Sequence, residues 1–442
     1  MLEKRKHGLY GCALFALFLV QACWLENQGV APPPQKLNFP VALLLVPKAS
    51  PRFLLAVSSN FDLRYRAGSL HVLSVQAMEQ ALRNCGKEFC TFEELGDFVV
   101  SEALIGSHAS DIALSSRGDR VYLPVRSEVD LTWIDVDPES GALFCEGTGQ
   151  PQVCAPRRRS ALRGGDCGAQ VDISGDPVTI AVGRLAEIGG PKESPADYIL
   201  MAHRNGRVTL FVEREIDGEL VPVLVDAMGG LPNDVVNASF DAESGRLWTH
   251  SAFVSAFRPV REIASVVAFA DGERPGCARL AEGGRLSLVG VDDGLESRDA
   301  VFREGGRRIY LLMRRPEALL FLEGPARPFV PWEARPARVA HVGSGPAQLE
   351  AMEWDGRRWL VVSCFDDRRL WFIDGERGST QGVLPGVQGP YALAFDPERK
   401  WLWVADFRES VLYLVDVAPL AENQEPRLVA RFGRPRPAQV LR

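Results

Sequence analysis

Apolar and polar positions alternate along this chain in short blocks. WLWVAD (Trp401–Asp406) and VLYLVDV (411–417) are apolar along almost their whole length, and the polar turn FRES separates them. Continuous short apolar runs that are rich in Val, Leu and Trp and bounded by turn residues are typical of strands buried on both faces. The pattern therefore predicts an all-β chain made of short buried strands.

The strand–turn–strand pattern recurs along the chain. Ungapped copies lie at 121–136, 309–324, 359–375 and 401–417, and weaker copies lie at 53–75, 198–213 and 238–253. About seven units with a period of roughly 40 residues indicate a propeller, because a blade buries both its faces only between neighbouring blades. We predict a seven-bladed β-propeller of four-stranded antiparallel blades over residues 37–442, with insertions near 77–107 and 137–196.

Each unit continues into an outer strand, a Gly-rich loop and the next inner strand, as in VAHVGSGPAQLEAM. The order GPYALAF, DPERK, LWVAD, VLYLVDV resembles the YVTN-type repeat of seven-bladed propellers in bacterial surface and periplasmic proteins. The resemblance covers most of the mature chain and is best in the last two units. It implies the fold. In that family the repeat is a scaffold pattern, so no catalytic residue is implied.

The N-terminus has the features of an export signal. A basic segment, Lys4-Arg5-Lys6, precedes an apolar run (9–20) that is too short to span a bilayer as a helix. The sequence Val20-Gln21-Ala22-Cys23 resembles a bacterial lipobox, which implies that residues 1–22 are removed and that Cys23 carries lipid. The alternative is an ordinary signal peptide with an incidental cysteine.

Residues 23–36 contain APPP and predict a Pro-rich tether between the lipid and the propeller. These features predict a bacterial cell-envelope lipoprotein that is membrane-anchored through Cys23. Trp24 replaces the Asp that signals retention at the inner membrane, which favours the outer membrane. The formal net charge of −7 argues against a nucleic-acid partner.

Cysteine usage fits an oxidising compartment. Insertions without a core of their own gain most from disulfides. We predict Cys85–Cys90, and we favour Cys145–Cys154 over Cys154–Cys167. Cys364 lies within a blade and is predicted to be a buried free thiol.

Ligands of propellers usually bind at the channel mouth, on the loops that lead into the inner strands. The polar residues at those positions are His108, Ser110, Asp111, Asn233, Asp234, Asn237, Arg298, Asp299, Gln348 and Tyr391. Acidic and amide groups at one mouth can hold Ca²⁺, another divalent cation or a polar ligand. Alternatively, they only line a wet channel. No cofactor is otherwise indicated.

Two further segments attract attention. The enlarged turn at 58–70 can supply oxygen ligands or contact a partner, although we favour a self-packed loop in which Asn60 and Asp62 cap its own backbone. The tripeptide Arg117-Gly118-Asp119 resembles an adhesion motif but occupies a tight turn of the repeat.

Two functions remain open from the sequence. The first is a binding or scaffold module for another envelope protein or a polymer, with the insertions shaping a recognition face. The second is a propeller enzyme, lactonase-like or a metal-dependent hydrolase, that uses the channel-mouth residues. The sequence contains no recognisable catalytic motif such as G-x-S-x-G, so we favour the first.

Overall fold

The computed structural model describes residues 29–436 except 128–129, 146–151, 155–166, 168–174, 233, 253–261, 275, 289–295, 305 and 325–331. The predicted signal peptide (1–22), Cys23 and Asn233 lie outside the described residues. The described residues form seven sheets arranged as the blades of a β-propeller, as predicted.

The first three blades occupy the N-terminal half of the described chain. Blade 1 contains β1 (Pro40–Val46), β2 (Phe53–Ser58), β3 (Gly68–Ser74) and β5 (Val99–Ile105), with helix α1 (Val75–Cys85), β4 (Cys90–Phe92) and a 3-10 helix (Leu95–Phe98) between β3 and β5. Blade 2 contains β6 (Ala113–Leu114), β7 (Arg120–Val125), β8 (Asp130–Val136) and β9 (Leu143–Phe144), and β10 (Gln152–Val153) follows it. Blade 3 contains β11 (Pro177–Arg184), β12 (Asp197–His203), β13 (Arg207–Ile216) and β14 (Glu219–Met228), with a 3-10 helix (Leu185–Ile188) after β11.

The remaining four blades complete the ring. Blade 4 contains β15 (Val235–Asp241), β16 (Arg246–Ser251), β17 (Glu262–Ala270) and β18 (Ala278–Leu288). Blade 5 contains β19 (Glu296–Arg303), β20 (Arg308–Arg315), β21 (Ala318–Glu323) and β23 (Arg338–His341), with β22 (Trp332–Ala334) before β23. Blade 6 contains β24 (Pro346–Trp354), β25 (Arg357–Cys364), β26 (Arg369–Asp374) and β27 (Thr380–Leu384). Blade 7 contains β28 (Pro390–Asp396), β29 (Trp401–Asp406), β30 (Val411–Asp416) and β31 (Arg427–Phe432), with a 3-10 helix (Ala418–Glu422) before β31.

The four ungapped copies of the repeat are the second and third strands of blades 2, 5, 6 and 7. Their antiparallel register is the same in all four. The paired residues are Tyr122 with Trp133, Tyr310 with Phe321, Val361 with Phe372 and Trp403 with Leu414. Each copy of the sequence repeat therefore corresponds to one antiparallel pair of strands, as the sequence predicts.

The hydrophobic core lies between the blades. Among the described residues, each of the seven interfaces between neighbouring blades contains one cluster of buried apolar side chains. On β2, Leu55 and Val57 pack towards blade 2, whereas Leu54 and Ala56 pack towards blade 7. Successive side chains of a strand point to opposite faces, and both faces are covered. For this reason the strands read as continuous apolar runs.

Three short strands join one blade to the blade before it. The strand β4 pairs in parallel with β31 of blade 7, β10 pairs with β5 of blade 1, and β22 pairs with β18 of blade 4. At the first of these junctions Phe92 stacks on Phe432 with 4.9 Å between ring centroids. Of these short strands, β4 and β10 lie in the predicted insertions near 77–107 and 137–196, and those ranges also contain the blade strands β5, β9 and β11. All three short strands fasten neighbouring blades at their outer edges, a role that the repeat pattern did not predict.

The structure contains the disulfides Cys85–Cys90 and Cys145–Cys154. The alternative Cys154–Cys167 does not form, because Cys167 is bonded to Cys277, which is 110 positions further along the chain. Cys364 is buried and free, and burial raises the pKa of its thiol to about 12.

Within the described ranges, no helix is long and apolar enough to cross a bilayer.

Candidate functional site at the channel mouth

A cavity of about 580 Å³ opens at the end of the channel where the inner strands begin. Every blade contributes to its wall, because all seven chain segments enter the ring at this face. The polar lining residues are Ser110, Asp111, Arg126, Asn237, Arg298, Arg314, Gln348, Asp366 and Tyr391. The structure therefore brings together six of the ten polar positions that the sequence indicates.

Four blades carry a polar side chain at one shared position of the inner strand. This position lies two residues before the inner-strand residue that pairs with Tyr122, Trp248, Tyr310 or Val361 of the second strand. Its occupants are Asp111, Asn237, Asp299 and Gln348. Each of the four reaches the next blade. The carboxylate of Asp111 accepts hydrogen bonds from the Thr179 hydroxyl (2.5 Å) and the Ile180 amide (3.1 Å) of blade 3.

The other three positions repeat this link. The side-chain amide of Asn237 donates to the carbonyl of Arg298 at 3.0 Å. The carboxylate of Asp299 accepts from the Leu349 amide at 2.9 Å, and the Gln348 side chain accepts from the Leu393 amide at 2.6 Å. Burial raises the pKa of the Asp111 and Asp299 carboxyls, that of Asp299 to about 6. The side chains at all four positions therefore form hydrogen bonds that connect one blade to the next.

A second repeat position supplies side chains that the sequence reading missed. Arg126, Arg314, Phe365 and Phe407 all line the cavity. In the ungapped alignment they are equivalent, because each is the fourth residue after the aligned Tyr122, Tyr310, Val361 or Trp403. The signal was therefore present in the repeat, at the turn that follows each second strand.

Aromatic rings form one rim of the mouth. Phe407 lies 4.8 Å from Phe39, 5.4 Å from Phe61 and 5.8 Å from Tyr391, measured between ring centroids. Phe365 lies 6.0 Å from Phe407. Such edge and tilted contacts hold the rings in place and leave them able to stack against a ligand. Phe61 remains 55% exposed.

Hydrogen-bond donors lie on the other side of the cavity. Arg298 forms an ion pair with Glu296 (3.2 Å), yet its Nε–H is buried without an acceptor among the described residues. Burial and the neighbouring Arg314 guanidinium lower the pKa of Arg298. An acceptor group in the cavity would relieve this unfavourable environment.

Three other predicted mouth residues, all within the described ranges, do not line the cavity. His108 is half-buried at its edge, with its ring 6.0 Å from that of Phe61. Asp234 pairs with Arg204 at 3.6 Å. Asp299 is buried in the wall behind the lining residues.

The enlarged turn at 58–70 is self-packed. The side-chain amide of Asn60 donates to the Tyr65 carbonyl (2.6 Å) and its oxygen accepts from the Tyr65 amide (3.1 Å). Asp62 accepts from the Arg64 amide at 3.3 Å and pairs with Arg436 at 3.0 Å. Across the part of the chain that the structure describes, no group of three or more His, Cys, Asp or Glu is placed to hold a metal ion.

A buried cluster in blades 4 and 5 contains the residue types of a hydrolase triad. The Ser239 hydroxyl donates to Asp299 (2.7 Å), accepts from the Ala300 amide (2.8 Å) and lies 2.7 Å from Nε2 of His250. Burial lowers the pKa of His250 to about 3, so the ring is neutral.

The hydrogen bonds of this cluster differ from those of a catalytic triad. With Nε2–H donating to Ser239, Nδ1 accepts from the Ser297 hydroxyl at 3.1 Å. Every lone pair and proton of Ser239 is then used. In a triad the histidine accepts the serine proton and is itself held by the carboxylate. The cluster therefore links two blades, and its geometry does not activate the serine.

Glu350 lies two residues beyond Gln348 on the same face of β24, deeper in the channel. Burial, together with nearby Asp299, raises the pKa of Glu350 from 4.5 to about 7, against the attraction of Lys48 and Arg303. The pKa of Glu350 is higher in the folded protein than in the unfolded chain. Its protonated carboxyl therefore stabilises the fold at pH values below the unfolded pKa, and this stabilisation is lost as the pH rises through 7.

We therefore expect Glu350→Gln to have little effect on stability at pH 4.5 and to stabilise the protein increasingly up to pH 8. The gain is at most about 1.4 kcal/mol per pH unit. Denaturant unfolding at pH 4.5, 6 and 8 measures it. Glu353→Gln, an exposed neighbour on β24 whose pKa is lowered by Arg303 and Arg358, is the control and should show no gain above pH 5. Parallel pH profiles for both variants would contradict the assignment.

Comparisons with known proteins agree with the fold. No family model matches the chain, and no curated protein matches its sequence. Kuenenia stuttgartiensis hydrazine synthase is similar in structure, with a TM-score of 0.52, 11% identity, and coverage of 89% of this chain and 99% of the other. The Cps50 (Swd1) β-propeller domain of Myceliophteria thermophila has a TM-score of 0.51 and 10% identity, with coverage of 86% and 97%. At these identities the likeness shows the β-propeller fold alone.

Proposed function

We propose that this protein is a lipid-anchored binding module of the bacterial cell envelope and that its ligand occupies the channel mouth. The observation that carries the proposal is the convergence of seven blades on one open cavity with aromatic rings on one side and donors on the other. The carboxylates in its wall are already used between blades, which leaves aromatic and cationic groups to contact a ligand.

The side chains that line the cavity define the chemistry of the ligand. Phe61, Phe365 and Phe407 offer apolar faces. Arg298 has a buried Nε–H without an acceptor among the described residues, and the half-exposed Arg314 guanidinium is paired with Asp366 at 3.5 Å. Guanidinium groups favour carboxylate acceptors. A protein segment that carries both an apolar side chain and a carboxylate fits both sides of the cavity. We therefore favour an envelope protein over a polymer as the partner.

The enzyme alternative has weaker support. The Ser239 cluster is hydrogen-bonded as a link between blades, and its residues are buried. Among the described residues, no group of three or more His, Cys, Asp or Glu is placed to hold the metal ion that a metal-dependent hydrolase would need.

Cross-linking in intact envelopes, followed by affinity measurement with the purified partner, tests the proposal. We expect Phe61→Ala and Tyr391→Ala to weaken binding at least about tenfold, as truncation of an aromatic anchor does. Phe269→Ala removes a ring of similar exposure from blade 4 (45%, against 39% for Tyr391) and serves as the control. Equal affinity for all three variants would overturn the mouth as the binding site. A stoichiometric metal ion found by elemental mass spectrometry would instead support the metal-dependent alternative.

A further inference from the structure

The second half of the predicted tether is docked on the propeller. The carbonyl of Val30 accepts a hydrogen bond from the Arg66 amide at 3.1 Å, and the amide of Gln35 donates to Glu102 at 3.0 Å. Leu37 is buried in the cluster between blades 1 and 7. Residues from Gly29 onward therefore belong to the folded body.

The docked segment enters on the face that carries the channel mouth. Arg66 belongs to the loop between β2 and β3, and Phe61 of the same loop lines the mouth cavity. Phe39, which follows the docked segment, lies 5.9 Å from Phe61 between ring centroids. The entry point of the chain and the mouth thus share one face.

Only six residue steps separate Cys23 from Gly29. Even fully extended, they span no more than roughly 20 Å. The strands of blade 1 cross from one face to the other in six or seven residues, or about 20–23 Å. The opposite face and its loops therefore lie at or beyond this reach, whereas the mouth face lies well within it. Lipid attached at Cys23 therefore holds the mouth face close to the bilayer.

Exposed apolar side chains lie where that contact would occur. Val30 is 73% exposed, Phe61 55% and Leu63 60%, and all three belong to the docked segment or the loop that binds it. Arg64 follows Leu63 and is half-exposed. Apolar side chains beside a cation suit the boundary between lipid headgroups and acyl chains.

We propose that the mouth face is turned towards the membrane and that Val30 and Leu63 contact the bilayer surface. This inference rests on the lipid anchoring at Cys23 that is part of the proposed function. It adds an orientation, since the ligand of the cavity then approaches from the membrane side.

The test uses the full-length lipidated protein in liposomes that contain lipids with a quencher at the acyl–headgroup boundary. An environment-sensitive fluorophore is attached at Leu63→Cys in one variant and at Arg377→Cys in another. Arg377 is exposed and follows β26, at the opposite face. Cys364 does not compete for the label, because it is buried and the pKa of its thiol is raised to about 12.

We expect the label at position 63 to be quenched several-fold more strongly than the label at position 377. Equal quenching, or stronger quenching at 377, would overturn the orientation. Intact-mass analysis distinguishes a failure of the lipid anchoring at Cys23 from a failure of the proposed orientation. An unmodified Cys23 would overturn the anchoring and the orientation together, whereas a lipidated Cys23 with the wrong quenching pattern would overturn the orientation alone.

Discussion

Replacing Glu213 with Ala is expected to lower the free energy of unfolding by about 3–5 kcal/mol, as removal of one partner from a buried ion pair does. Glu213 is on β13, is buried, and accepts five hydrogen bonds. The donors are Arg117, Arg120, the Tyr122 hydroxyl and the Asp197 amide, at 2.6–3.1 Å. Without this carboxylate the Tyr122 hydroxyl loses its acceptor. Arg117 and Arg120 each lose a buried partner and keep the more exposed carboxylates of Asp119 and Asp135.

The charge of Glu213 also governs the residues around it. Burial alone would lower the pKa of Arg117, but the hydrogen bonds and charge of Glu213 raise it. Burial and the same charge raise the pKa of Tyr122. Because Arg117, Arg120 and Tyr122 belong to blade 2 and Glu213 to blade 3, the network fastens one blade to the next.

Urea unfolding followed by tryptophan fluorescence measures this effect. Glu215→Ala removes an exposed carboxylate from the same face of β13 and should change stability by less than about 0.5 kcal/mol. Equal unfolding midpoints for the two variants would show that the network adds nothing. The same contacts explain why Arg117-Gly118-Asp119 is a structural turn, since its arginine is paired with Glu213.

Loss of the disulfide Cys167–Cys277 is expected to have the other large effect. It links the segment after blade 2 to blade 4, and Arg214 of blade 3 lies at 2.6 Å from one sulfur and 3.1 Å from the other. A crosslink across 110 residues restricts the unfolded chain strongly. The loop-entropy relation gives about 4–5 kcal/mol for such a loop.

The double variant Cys167→Ser/Cys277→Ser tests this expectation against Cys85→Ser/Cys90→Ser. The second disulfide closes a separation of only five residues, for which the same relation gives about 2 kcal/mol. Denaturant unfolding of both variants compares the two losses. A smaller loss for the long-range pair than for the short one would contradict the entropic argument.

The site was partly predictable from the sequence. Asp111, Asn237 and Gln348 occur at a repeat position that enters the inner strand, and the structure places all three on the cavity wall. Their hydrogen bonds to the next blade were not predictable, because those acceptors and donors lie about 45 to 70 residues away along the chain. The ring of side chains from Arg126, Arg314, Phe365 and Phe407 was encoded in the repeat alignment but was not recognised.

By itself, the sequence determined the number of blades and the register between the second and third strands in four of them. Those features depend on local alternation, turn residues and a repeated pattern, all of which are properties of neighbouring positions. Only the tertiary structure decided which long-range contacts connect the blades into a closed ring. The pairing of Cys167 with Cys277, the addition of β4 to blade 7 and the choice of Glu213 as the acceptor for blade 2 join segments distant in sequence. Such contacts depend on the closed arrangement of all seven blades, which brings together positions that no local pattern relates.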